Sequence, residues 1–127
     1  MKPFCFALFF YACLASCSDK KIIKKEIKTK DVNIVWYNKS YISNIRSIVE
    51  VSSNGINDIA VDCSDLLITD INLDSNIITI MMYKPKNSVI YSYKPFAAGY
   101  AIKIDSSASE NEYDKIYQPE FYDPTKK

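Results

Sequence analysis

The side chains available for chemistry in this 127-residue chain are carboxylates, tyrosines, lysines and a few cysteines, because the sequence contains no histidine. Histidine is the usual general acid or base near neutral pH and a common metal ligand, so a Ser-His-Asp or Cys-His site cannot be built. The sequence also lacks a phosphate-binding glycine loop and a paired-cysteine zinc motif. We therefore do not expect an enzyme, and a carboxylate-dependent hydrolase is the alternative that these residue types leave open.

Oxygen-bearing side chains at alternate positions of residues 70–76 have the spacing that opens a calcium-binding loop. They are Asp70, Asn72, Asp74 and Asn76. Such a loop needs a glycine where Ser75 stands and a bidentate acid where Met81 stands. The intervening Ile71 and Leu73 fit the alternation of a strand better. We predict a solvent-facing strand that runs into a turn here, and no metal ion or cofactor.

Cys17 ends an N-terminal segment with the pattern of an export signal. Lys2 precedes an apolar run, Phe4–Leu14, that is too short to span a bilayer as a mature helix. The run closes with Leu14-Ala15-Ser16-Cys17, which resembles the lipobox of bacterial lipoproteins. The resemblance implies that residues 1–16 are removed and that the Cys17 thiol carries a lipid. In layout the chain is similar to small bacterial lipoproteins with one β domain.

The same resemblance implies a location in the bacterial cell envelope, with the lipid on Cys17 as the membrane contact. Ser18 stands where the best-known sorting rule places an inner-membrane retention aspartate, so we expect the outer membrane, facing the periplasm. Loss of Lys2 with the signal leaves equal numbers of basic and acidic residues. A neutral domain is a poor electrostatic match for nucleic acid, which we do not expect as a partner.

Cys63 is the only cysteine that follows Cys17, so the mature chain cannot form an intramolecular disulfide. Asp62 and Asp65 flank it, and nearby acids raise a thiol pKa rather than lower it. We predict a small core or rim residue, not a reactive thiolate.

Tyrosine is the residue whose abundance suggests function, because exposed tyrosines supply rigid, amphipathic contact area. The chain has ten tyrosines. We predict a partner-binding surface from the strand tyrosines and the lysines of nearby turns, and the alternative is that these tyrosines simply pack within the sheets. The predicted surface comprises Tyr83, Tyr91, Tyr93, Tyr100, Lys84 and Lys94.

Residues 17–30 are expected to form the lipidated cysteine and a basic tether. Six lysines lie between Lys20 and Lys30, and they could approach anionic headgroups. The alternative, which we favour over contact with headgroups, is a solvated linker that merges into a first strand around Ile22–Ile27.

Residues 31–122 are expected to form a single β domain. Val32, Ile34 and Trp36 alternate as one strand face, and Asn54-Gly55 is a tight-turn signal between two strands. Leu67, Thr69, Ile71 and Leu73 are predicted to share a face. The largely apolar run 77–83 predicts a central strand, and Val89, Tyr91 and Tyr93, then Tyr100, Ile102 and Ile104, predict two further strand faces.

The C-terminal segment shows tyrosines at intervals of four, Tyr113 and Tyr117, followed by Phe121. Because Pro119 interrupts this run, we predict an extended or irregular segment there, and a frayed tail over residues 123–127.

The strand pattern as a whole predicts an all-β fold, an antiparallel sandwich or small barrel of about seven or eight short strands. The expected function is that of a membrane-anchored, noncatalytic β module that binds a protein or glycan partner. The alternatives are a periplasmic inhibitor or immunity lipoprotein, and the carboxylate-dependent hydrolase.

Overall fold

The computed structural model describes residues 20–42, 44–83 and 88–126. The predicted signal, Cys17 and Lys84 therefore lie outside the described residues. In these described ranges, nine strands, one α-helix and one 3₁₀ turn follow each other. They are β1 (Lys21–Lys28), β2 (Asn33–Ser40), β3 (Ile45–Ser53), β4 (Ile56–Ser64), β5 (Ile68–Asp74), β6 (Ile77–Met82), β7 (Ile90–Tyr93), β8 (Phe96–Ala97), β9 (Tyr100–Asp105), α1 (Glu110–Tyr117) and the 3₁₀ turn Pro119–Phe121.

The strands form two sheets that enclose one core between them. The five-stranded sheet has the order β1-β2-β3-β4-β7 and is antiparallel throughout. The four-stranded sheet has the order β5-β6-β9-β8. The sheets do not close into a barrel, so the all-β prediction is confirmed in its sandwich form. One pairing departs from the antiparallel expectation, because β6 and β9 run parallel.

The core consists of the inward-facing side chains of both sheets. Val32, Ile34 and Trp36 are all buried, as their alternation predicted. Ile78, Ile80 and Met82 face them from the interior strand β6. The position of β6 between β5 and β9 confirms that residues 77–83 supply a central strand.

The turns follow local sequence closely. The Asn54-Gly55 hairpin joins β3 to β4, with φ angles of 51° and 76° that suit these two residues. Ser75 takes a φ of 54° in the turn between β5 and β6. The predicted strand and turn over residues 70–76 is therefore confirmed.

A β-bulge in β5 removes Thr69 from its predicted face. The register shifts between Ile68 and Asp70, so Ile68 rather than Thr69 pairs beside Met82 on the core side. Ile71 recovers the predicted alternation after the bulge. Leu67 and Ile71 still lie in the core and Leu73 packs against it, whereas alternation alone does not reveal the extra residue.

The segment Lys21–Lys28 is a strand rather than a flexible tether. Its pairing with β2 makes it the edge of the five-stranded sheet, as the alternative interpretation of this segment predicted. Lys25 donates to the Asp70 carboxylate at 2.7 Å and to the carbonyl of Ile71 at 3.1 Å, joining β1 to β5 across the sandwich.

The C-terminal segment is helical, so the prediction of an extended or irregular segment is wrong. Ser109 caps α1 by accepting a hydrogen bond from the amide of Glu112, and Tyr117 donates from its hydroxyl to the carbonyl of Ile68. Pro119 lies beyond the helix end and begins the 3₁₀ turn, where a proline costs no helical hydrogen bond.

The residues after the 3₁₀ turn contact the helix. The Asn111 side chain donates to the carbonyls of Asp123 and Lys126, and accepts from the Asp123 amide.

Candidate functional site

The structure does not bring the predicted tyrosines together on one surface. Tyr83 follows β6 and stacks against Tyr113 of α1, with ring centroids 5.0 Å apart. Tyr100 is half-buried and packs against the core. Tyr93 donates to the carbonyl of Ile102 at 2.7 Å, which links β7 of the five-stranded sheet to β9 of the other sheet.

Of the two predicted lysines, only Lys94 lies in the described residues, and it pairs with a carboxylate. Lys94 lies 3.4 Å from the carboxylate of Asp58. The same carboxylate accepts the amide of Ala98 at 2.8 Å, which fixes a turn residue with a φ of 48°. Both contacts lower the pKa of Asp58, the Ala98 amide first. Lys94 therefore has a structural partner in this turn.

Tyr91 is the predicted tyrosine that joins a larger exposed group, which we call the aromatic cluster: Tyr41, Arg46, Asp62 and Tyr91. The guanidinium of Arg46 lies 4.1 Å from the ring centroid of Tyr91 and 5.0 Å from that of Tyr41. Asn44 donates to the Tyr91 hydroxyl at 3.4 Å. The Tyr41 and Tyr91 side chains keep 42% and 46% of their residue surface exposed.

Asp62 holds the guanidinium in place from the neighbouring strand. The Arg46 and Asp62 side chains approach to 3.1 Å, and they are 31% and 17% exposed. A planar guanidinium can stack on aromatic rings and bind a carboxylate at once, which an ammonium cannot do in the same geometry. The cluster is therefore a pre-ordered surface rather than four independent side chains.

Sheet register explains why these residues meet. Arg46 pairs with Ser64 across β3 and β4 and with Lys39 across β2, which places it on the outer face of the five-stranded sheet. A register shift between β4 and β7 leaves Tyr91 as the extra residue and turns it toward Arg46. Neither the bulge nor the pairing of β7 with β4 has a local sequence signal, so Arg46 was missed as a site residue.

The same outer face continues from Lys39 to Tyr37. The Lys21 ammonium lies 4.0 Å from the centroid of the Tyr37 ring. Tyr37 is buried although it points away from the core, and desolvation raises its pKa, with Glu50 adding to the effect. Long cationic side chains thus cover the aromatic rings of this face.

Cys63 lies in the core, as its sequence context predicted. Its thiol donates to the carbonyl of Ser47 at 3.6 Å, and burial raises its pKa to about 12. A neutral, buried thiol of this kind is a packing group.

A recess of about 470 Å³ lies between α1 and the four-stranded sheet, and two carboxylates line it, Asp70 and Glu112. A carboxylate-dependent hydrolase would need two such acids in one cleft. Asp70 is already engaged by Lys25 and by the amide of Ile71. Across the described ranges, no three His, Cys, Asp or Glu side chains converge as a metal site would require.

Comparisons with known proteins add no functional information. No protein-family model, curated protein or solved structure matches the chain. None of the helices in the described part of the chain is long and apolar enough to cross a bilayer.

Proposed function

We propose that this protein is a noncatalytic β module, anchored in the bacterial envelope by lipid on Cys17, that binds a protein partner through the aromatic cluster. The anchor places it on the outer membrane, facing the periplasm. The observation that carries the binding proposal is the arrangement of Tyr41, Arg46 and Tyr91 at one end of the five-stranded sheet, with both rings exposed.

The composition of the aromatic cluster favours a protein partner. Tyrosine and arginine are enriched among the residues that contribute most binding energy at protein interfaces. Stacked arginine loses little side-chain entropy on binding because Asp62 and the two rings already order it. A glycan partner is less well served, since the guanidinium covers one face of the Tyr91 ring, where a sugar would stack.

An inhibitor or immunity lipoprotein is the special case in which the bound protein is a lytic enzyme or a toxin. Size and location support this alternative by analogy only. The identity of the bound protein would distinguish this inhibitor or immunity role from a scaffold or assembly role.

A photo-crosslinking experiment in living cells tests the binding proposal. A photoreactive amino acid replaces Asn44, which adjoins Tyr91, and in a matched control it replaces Asn57, an exposed residue at the opposite end of the five-stranded sheet. We expect a discrete crosslinked protein from position 44 and none from position 57.

The binding proposal also requires that the crosslink from position 44 depend on Arg46. Arg46→Lys keeps the charge but loses the planar stack, so the crosslink at position 44 should weaken severalfold while circular dichroism stays unchanged. A product that forms equally at both positions, or that ignores Arg46→Lys, contradicts the proposal. A crosslink to a glycan and not to a protein would contradict the protein partner.

A further inference from the structure

The position of β1 brings one end of the sandwich close to the proposed lipid. β1 begins at Lys21, four residues after Cys17. Whatever path the intervening residues take, four residues span at most about 14 Å. The lipidated cysteine must therefore lie within that distance of the end where β1 begins.

Several strand ends meet at this end of the five-stranded sheet. The carbonyl of Lys20 accepts the amide of Ser40 at 3.2 Å, which places the end of β2 beside the start of β1. The carbonyl of Ile45 at the start of β3 accepts the Asp65 amide at 3.3 Å, and Val89 before β7 accepts the Ser64 amide at 2.8 Å. The described residues at these strand ends form one continuous tip.

Five of the exposed apolar side chains of the described residues lie on this tip. We call them the anchor-proximal tip: Tyr41, Ile42, Ile45, Leu66 and Val89. Ile42 is fully exposed, and the other four keep between 39% and 46% of their surface in solvent. Aliphatic side chains grouped on loops with a tyrosine are typical of a surface that meets a partly apolar medium.

Basic side chains surround the tip. Lys20 and Lys21 lie at the start of β1, and Lys39 lies over the Tyr41 ring at 5.4 Å. Asp65 is the acid in the turn between β4 and β5 at this end, whereas Asp62 is already paired with Arg46. Lysines flanking tyrosine and aliphatic residues match the chemistry of a bilayer interface with anionic headgroups.

We propose that the anchor-proximal tip rests on an anionic phospholipid surface, with Ile42 in the interfacial layer and Lys20, Lys21 and Lys39 near the lipid phosphates. The proposal depends on the lipid anchor of the proposed function. It goes further because it specifies the orientation of the domain on the membrane. The aromatic cluster, which shares Tyr41 with the tip, then lies close to the bilayer, where it meets partners held at the same membrane.

Depth measurements on the lipidated protein in vesicles test this orientation. Ile42→Cys and, as the control at the opposite end, Asn54→Cys are each labelled with an environment-sensitive fluorophore. The buried Cys63 and the lipid-blocked Cys17 should not react. Vesicles consist of phosphatidylcholine alone or of an equimolar mixture with phosphatidylglycerol, and brominated lipids serve as quenchers.

We expect severalfold stronger quenching at position 42 than at position 54 in the anionic vesicles. Lys20→Gln with Lys39→Gln should reduce the quenching at position 42 toward its value in neutral vesicles. Lys28→Gln with Lys30→Gln removes the same charge from the far end of β1 and should have no effect.

The possible failures are distinguishable. Protein that does not float with the vesicles has no working anchor, which overturns both proposals. If the protein floats but the fluorophore at position 42 is quenched no more than the one at position 54, the proposed lipid contact of the tip is wrong and the anchor proposal is unaffected. Equal effects of the two lysine pairs also overturn the tip. Burial of position 42 in native envelope vesicles but not in pure lipid would assign the tip to a protein.

Discussion

At the scale of single residues, Cys63 shows most clearly how burial decides chemistry. The thiol is fully buried between the sheets and donates to a backbone carbonyl. Desolvation raises its pKa to about 12, with smaller contributions from Asp62 and Asp65. The acidic neighbours alone predicted the direction of this shift, but the core around the thiol supplies most of it.

Cys63 should resist thiol reagents in the folded protein. An ordinary thiol has a pKa of about 8.5, so a value of about 12 lowers the thiolate fraction at pH 8 by roughly three orders of magnitude. Labelling of the mature protein with Ellman's reagent should be slow until guanidinium unfolds the chain. Rapid labelling without unfolding would contradict a buried thiol.

The raised pKa of Cys63 also makes the stability of the fold depend on pH. The folded state favours the neutral thiol, so the raised pKa adds to the free energy of unfolding. This stabilisation is complete below a pH of about 8.5 and is lost as the pH rises toward the thiol's folded-state pKa of about 12. Cys63→Ala should remove this alkaline component from the pH dependence of unfolding.

At the scale of elements, α1 shows how a short helix is held by its surroundings. Eight residues are too few for a stable isolated helix. Ser109 satisfies an orphan amide at the N-terminus, and Tyr113 and Tyr117 stack at 5.1 Å on the side that meets the sandwich. The hydrogen bond from Tyr117 to Ile68 then joins the helix to β5.

Ser109→Ala should lower the free energy of unfolding by about 1 kcal/mol, because it removes the side chain that accepts the Glu112 amide. Ser109→Asp is the matched control, since aspartate caps helices as well as serine and should retain stability. Urea denaturation followed by circular dichroism provides the measurement. Equal midpoints for both variants and the parent would show that the helix unfolds independently of the sandwich.

At the scale of the whole molecule, the sheet topology determines where the aromatic cluster and the anchor-proximal tip lie. β1 lies at one edge of the five-stranded sheet and β7 at the other, and the aromatic cluster spans β3, β4 and β7. The loops of the anchor-proximal tip adjoin the start of β1. A lipid at Cys17 would thus orient the whole domain, not merely restrain it.

Exchange of residues 1–17 for an ordinary cleavable export signal without a cysteine should move the protein from the membrane fraction to the soluble fraction. High salt is needed during fractionation, because it screens attraction between the tip lysines and anionic headgroups. The melting temperature should be unchanged, since the described fold begins after this segment. Cys63→Ala in the native chain is the control and should stay membrane-bound. Retention of the exchanged protein would contradict the anchor.

Local patterns determined the features that depend on neighbouring residues in the chain. The burial of Val32, Ile34 and Trp36 follows from alternation, and the Asn54-Gly55 turn follows from the positive φ angles that these residues accept. The all-β class follows from the repetition of such signals. The lipobox resemblance is likewise local, and it remains a prediction.

Only the tertiary structure decided which strands pair, because pairing depends on contacts between distant residues. The parallel alignment of β6 with β9, the β7 bulge that turns Tyr91 toward Arg46, and the pairing of β1 with β2 all arise in this way. A helix over residues 110–117 had a local signal in Ser109 and Glu112, but its stability comes from packing on β5. Alternation assigns a side chain to a face; the partner across that face is set by the rest of the fold.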